Sequence, residues 1–101
     1  MYFAVSKIII DIDTETAQDD KALKSLAEKV RARFKVAVAT QTQTHQGESA
    51  LVIAGLARNE EKLSQTLNDI MSFCEESGFG RIADEVTLLD HIDSISDEEN
   101  D

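Results

Sequence analysis

Proline is absent from this sequence of 101 residues, and cysteine occurs once, at Cys74. A lone cysteine excludes an internal disulfide framework and fits a reducing compartment. Histidine occurs only at His45 and His91, and neither stands at a zinc-site spacing to Cys74. No GxxxxGKS, GxxxxGKT or GxGxxG stretch is present, so no phosphate cradle is expected. The GFG stretch, Gly78 to Gly80, reads as a helix stop followed by a turn. No apolar run reaches the about 18 residues needed to span a bilayer. The stretch MYFAVSKIIIDID lacks a basic n-region and a small-residue cleavage site, so no signal peptide is expected and the protein is placed in the cytoplasm.

Acid dominates what is present, with a formal net charge of −10, yet it is unevenly distributed. From Asp90 onward, DHIDSISDEEND holds six acids and neither Lys nor Arg. Without it the chain has ten basic against fourteen acidic residues, a net of −4. This end has only Ile92 and Ile95 to bury, too little to offset the entropy of ordering it. Residues 1–90 are therefore expected to form one domain, and 91–101 an acidic, disordered tail. An apolar fraction of 42% fits a single globular core of this size.

The order of elements follows from periodicity. Ser6, Ile8, Ile10 and Ile12 alternate with Lys7, Ile9, Asp11 and Asp13, the period-two mark of a half-buried strand. Asp19 or Asp20 is expected to cap a helix whose Leu23, Leu26, Ala27, Val30 and Phe34 line one face. VAVATQTQT is β-prone, and THQGE around Gly47 signals a hairpin into SALVIAGLA, apolar on both faces and so an inner strand. Asn59 caps a second helix with Glu60 and Glu61 in its first turn, an apolar stripe of Leu63, Leu67, Ile70, Met71 and Cys74, and Gly78 at its end. RIADEVTLL is the last strand. The order βαββαβ defines a ferredoxin-like α+β sandwich: a four-stranded antiparallel sheet, order 4-1-3-2, with both helices on one face. The other face is left without helices. It carries Phe3, Val5 and Ile9, and an uncovered apolar face of this kind serves a second copy or another partner.

Catalytic groups are scarce. Cys74, on the inner side of a helix, is expected to be a buried apolar group rather than a nucleophile. Asp11 and Asp13 share a strand face and, with Glu15, have the chemistry to hold a hard cation, but the plainer reading is the wet side of a strand. Neither an enzyme nor a cofactor site is expected.

The stretch KALKSLAEKVRARFK, Lys21 to Lys35, holds six of the ten basic residues against Glu28 alone. Lys21, Lys24, Arg31, Arg33 and Lys35 are the candidates for contact with nucleic acid or an acidic partner, since clustered cations release counterions at phosphates. Against this stand the solvated side of an ordinary helix, the overall negative charge, and the lack of the sheet aromatics on which RNA-binding sandwiches stack bases.

LKSLAEKVRARFKVAVA, with MYFAVSKIIIDI and ALVIAGLA, resembles the YlxP-like small bacterial proteins, a family of unknown function, over nearly the whole chain to Asp90. The resemblance implies a ferredoxin-like fold. Through genes that neighbour those of translation factors and ribosome maturation, it also implies a ribosome- or RNA-linked role. The family's basic run at the start of the first helix is replaced here by ETAQDD, Glu15 to Asp20, and its tryptophan and arginine after the hairpin by Gly47 and Ser49. The sequence thus points to a binding module contacting ribosomal RNA, or a ribosomal or translation-factor protein, through the basic side of its first helix. The rival is a structural or regulatory homodimer joined through Phe3, Val5 and Ile9, with no nucleic-acid contact.

Overall fold

The computed structural model describes residues 1–11, 18–41, 49–77 and 81–95, and for residues 11 and 18–20 the backbone alone. Among these residues four strands and two helices follow in the order β1 (Tyr2–Asp11), α1 (Gln18–Phe34), β2 (Ala37–Gln41), β3 (Ser49–Ala57), α2 (Glu60–Glu76) and β4 (Arg81–His91), and a 3₁₀ turn follows at Ile92–Ser94. The strands form one antiparallel sheet in the order β2-β3-β1-β4. This is the expected 4-1-3-2 order viewed from the other edge, and the fold is the ferredoxin-like α+β sandwich.

Each helix buries the stripe that its spacing set. Leu23, Leu26, Ala27 and Val30 of α1 are buried, as are Leu63, Ile70 and Cys74 of α2. They meet Ile8 and Ile10 of β1 and Leu51 and Ile53 of β3 in one core, with Phe34, Leu67, Met71 and Ile82 packed around it. Ala4, Ser6, Ile8 and Ile10 are buried while Val5 and Lys7 are exposed, so the even residues of β1 face the helices and the odd ones do not.

Several element ends depart from the sequence reading, among them β4, which runs on to His91 past the expected RIADEVTLL. Helix α1 starts at Gln18, so Asp19 and Asp20 lie in its first turn instead of capping it. Strand β1 begins at Tyr2, well before the alternation that first marks it. By contrast, Asn59 does cap α2, its side chain accepting from the Lys62 N–H at 3.2 Å. Helix α1 closes on Lys35, whose φ of 58° is left-handed and whose N–H donates to the Arg31 carbonyl at 3.0 Å. The hairpin at Gly47, His45, the GFG turn, Asp13, Glu15 and the acidic residues beyond Ile95 lie outside the described residues.

The pairing of β4 with β1 contains one irregularity that decides which side chains face where. Ile9 pairs with Asp84 but Ile10 pairs with Ile82, leaving Ala83 as an extra residue. This bulge reverses the phase of the strand. Ile82, before it, packs against the core, whereas Val86 and Leu88, after it, lie on the helix-free face and are exposed.

Candidate docking faces

The helix-free face is built from paired residues, which point to the same side of an antiparallel sheet. Val5 stands between Leu88 and Ala54, with Ala37 beyond. One step along, Lys7 stands between Val86 and Val52, with Ala39 beyond; at the other end Phe3 lies between Asp90 and Leu56. Val5 is 42% exposed, Leu56 65%, Val86 62% and Leu88 57%. Covering side chains of this size fully stabilises by about 1.5–3 kcal/mol each. The structure places Phe3, Val5 and Ile9 together on this face, Val5 exposed and the other two half-buried. Leu56, Val86 and Leu88, which sequence reasoning did not assign to it, complete the surface. The absence of Val86 and Leu88 from that reading has a definite cause. Ile82, Val86 and Leu88 share one parity, and only the bulge at Ala83 separates them onto opposite faces.

The basic stretch forms an exposed outer surface of α1, with Lys21, Lys24, Arg31, Arg33 and Lys35 all outside the core. It does not gather the five into one patch. Arg31 and Arg33, two positions apart on a helix, project to different flanks. The Arg31 Nη2 donates to the Val38 carbonyl at 2.8 Å, on the β2 side. The Arg33 guanidinium lies 5.3 Å from the ring of Phe73 on α2 and 5.7 Å from Phe34. Those two rings meet edge to face at 5.7 Å. Lys21, Lys24 and Arg31 keep to one flank, with Lys35 following just past the helix end.

Charge is segregated across the molecule. The window from Lys21 to Lys35 has six cations against Glu28, whereas α2 and β4 carry Glu60, Glu61, Asp69, Glu75, Glu76, Asp84, Glu85 and Asp90 against Lys62 and Arg81. Cys74 is buried, and burial, followed by the charge of Glu75, raises its thiol pKa to about 11. At neutral pH it is a protonated, apolar group. His91 closes β4: its Nδ1 accepts from the Asp93 N–H at 3.0 Å and its ring meets Tyr2 edge to face. Among the described residues no group of three or more His, Cys, Asp or Glu is placed to hold a metal ion. No helix among them is long and apolar enough to cross a membrane.

A two-layer βαββαβ sandwich with an apolar outer sheet face defines the class of this protein. Within it, the chain belongs to the family described as protein of unknown function DUF503, whose model matches residues 21–86. No curated protein matches it significantly. Among solved structures, it is similar to a de novo designed protein with ferredoxin fold, at 17% identity and a TM-score of 0.59, covering 95% of this chain and 89% of the designed one. It is also similar to protein YJCS, at 11% identity and a TM-score of 0.51, covering 86% of this chain and 95% of that one. Likeness at these identities is likeness of fold.

Proposed function

We propose that this chain is a non-enzymatic binding module that pairs with a second copy of itself through the helix-free sheet face. The observation that carries the reading is the exposure of Val5, Leu56, Val86 and Leu88 on one continuous face. That face is also self-complementary in charge. Its centre holds Lys7, and its β4 side holds Asp84 and Asp90. An isologous pairing whose two-fold axis passes between Lys7 and one of these acids sets the Lys7 of each copy against an acid of the other. Size-exclusion chromatography with light scattering tests this: the wild type elutes as a dimer, while Val5→Asp and Leu88→Asp elute as folded monomers by circular dichroism. A wild type that stays monomeric at high micromolar concentration removes the proposal.

A second reading rests on a different observation, the exposed cationic flank formed by Lys21, Lys24, Arg31 and Lys35. Together with the resemblance to YlxP-like proteins, it supports an accessory contact with ribosomal RNA or a ribosomal or translation-factor protein. The two readings are compatible, because face-to-face pairing leaves both α1 helices outward. Cosedimentation with ribosomal subunits across a salt series tests this second contact. Association unchanged by Lys24→Glu with Arg31→Glu disposes of it.

A further inference from the structure

Strand β4 offers a second surface, on the helix side of the sheet, that neither docking face uses. Helix α2 lies mainly over β1 and β3, so Glu85 and Thr87 remain exposed on that side and Leu89 is half-buried. Between α2 and β4 runs a groove of about 680 Å³. Ser6, Leu67, Met71 and Leu89 line it with Glu60 and Glu85. Ser6 is a polar residue at a core position, 2% exposed. Its hydroxyl lies 2.9 Å from the Thr87 Oγ1 and donates to the Glu85 Oε2 at 3.4 Å. A serine there keeps the inner wall of the groove polar where Ile8 and Ile10, in phase with it, make core.

The outer edge of β4 is blunted at two points. The Glu85 N–H donates to the Asp84 Oδ1 at 2.8 Å, and the His91 N–H donates to the Asp90 Oδ1 at 2.7 Å. These amides therefore face away from β1. Main-chain groups in an antiparallel strand alternate between its two edges. The amides of Thr87 and Leu89 consequently face outward as well, between the two aspartate-capped positions. A strand added along this stretch bonds to the main chain there and sends alternate side chains over the groove. Among the described residues no Lys, Arg or His lines that groove, and Glu60 and Glu85 do.

The geometry points to a binding site for an extended, cationic peptide segment, added as a fifth strand along Glu85 to Leu89 with alternate Lys or Arg side chains over the α2–β4 groove. The site lies on the opposite side of the sheet from the self-pairing face, so the two stand or fall separately.

The test is a titration of the isotope-labelled full chain, followed by amide resonances. The probes are a synthetic peptide alternating Lys with Val and a matched peptide alternating Glu with Val. The Lys peptide is expected to shift and slow the exchange of the Thr87 and Leu89 amides, and the Glu peptide to leave them unmoved. Glu60→Lys with Glu85→Lys, both exposed positions, should weaken the Lys peptide by about tenfold or more. Three results overturn the proposal: no shift at millimolar Lys peptide, equal response to both peptides, or shifts confined to α1 or to Val5 and Val52. Thr87 and Leu89 amides that move on simple dilution assign the edge to a second copy, which also overturns it. Dilution shifts at Val5 and Leu56 report the self-pairing face instead.

Discussion

The guanidinium of Arg31 donates a 2.8 Å hydrogen bond to the main-chain carbonyl of Val38, tying the last turn of α1 to the edge strand β2. Strand β2 is only five residues long and has β3 on one side alone, and this tether adds to its pairing with β3 and to the packing of Val38 on the core. Arg31→Ala is expected to cost about 1 kcal/mol in urea unfolding, the ordinary worth of such a bond near the surface. Faster amide exchange should appear in β2 and leave β4 unchanged. An unchanged unfolding midpoint would show that the bond is not populated in solution. The same tether bears on ribosome-binding experiments, where loss of binding in Arg31→Glu must be compared with a variant of equal stability.

Lys35 ends α1 with a left-handed backbone, φ 58°, at the position where glycine is the usual residue. A side chain there costs roughly 1 kcal/mol relative to glycine, partly offset by the greater freedom glycine has when unfolded. Lys35→Gly should raise stability by about 0.5 kcal/mol. Lys35→Val, branched at Cβ, should lower it by more than Lys35→Ala. Equal stability of all three variants would contradict the left-handed cap.

Much of this architecture was legible because each helix repeats one face and β3 has no polar side. Leu23, Leu26, Ala27, Val30 and Phe34 identified α1; the first four are buried and Phe34 packs half-buried against the core. The helix-free face was readable at Phe3, Val5 and Ile9, since β1 is a regular strand and its parity holds from end to end. Along β4 parity fails. Nothing in RIADEVTLL marks Ala83 as supernumerary, because the bulge is fixed by pairing with Ile9 and Ile10, about seventy residues away. The α2–β4 groove was hidden for a related reason. It exists because α2 settles over β1 and β3, a packing choice that strand periodicity does not encode.

The Cys74 thiol couples stability to alkaline pH. It is 3% exposed, and burial raises its pKa from 9.0 to about 11. A raised pKa means that the folded chain holds the proton more tightly than the unfolded chain. The stabilisation is therefore complete below pH 9 and is lost as pH climbs toward 11 and beyond. By pH 11 the loss amounts to about 2 kcal/mol. Cys74→Ala should lack this component, so the stability difference between the two proteins narrows from pH 8 to pH 11. Parallel curves would mean that the thiol ionises as readily when folded. Slow alkylation of Cys74 in native conditions, accelerated by urea, is the companion result.

Ionic strength separates the two functional readings by sign. Each copy carries a net charge of −10, so pairing brings together like-charged bodies whose contact surface is mostly apolar. Screening shortens the reach of that repulsion from about 30 Å at 0.01 M salt to about 8 Å at 0.15 M. The dimer should therefore tighten by roughly fivefold or more over this range. A contact between α1 and phosphates weakens with salt instead, through lost counterion release. A dimer that loosens steadily with added salt would point to the Lys7–aspartate contacts, rather than the apolar patch, as its main support.

Deletion of single residues in β4 tests the register on which both faces of the sheet depend. Ala83 is surplus to the ladder: Ile82 pairs with Ile10 and Asp84 with Ile9, so its removal leaves every other pair in place. The chain should fold with a loss of about 1 kcal/mol, a figure typical of point changes, and should self-associate as before. Removal of Thr87 is a different matter. It either moves Leu88 and Leu89 one step along the ladder or draws Ala83 into it and moves Glu85 and Val86, and in both cases the moved residues exchange faces, because side chains alternate at every residue. It also removes the hydroxyl that Ser6 meets at 2.9 Å. We expect that deletion to cost more than about 3 kcal/mol and to abolish self-association. Should both deletions prove equally damaging, the extra residue is not where the pairing places it, and Val86 and Leu88 lose their claim to the helix-free face.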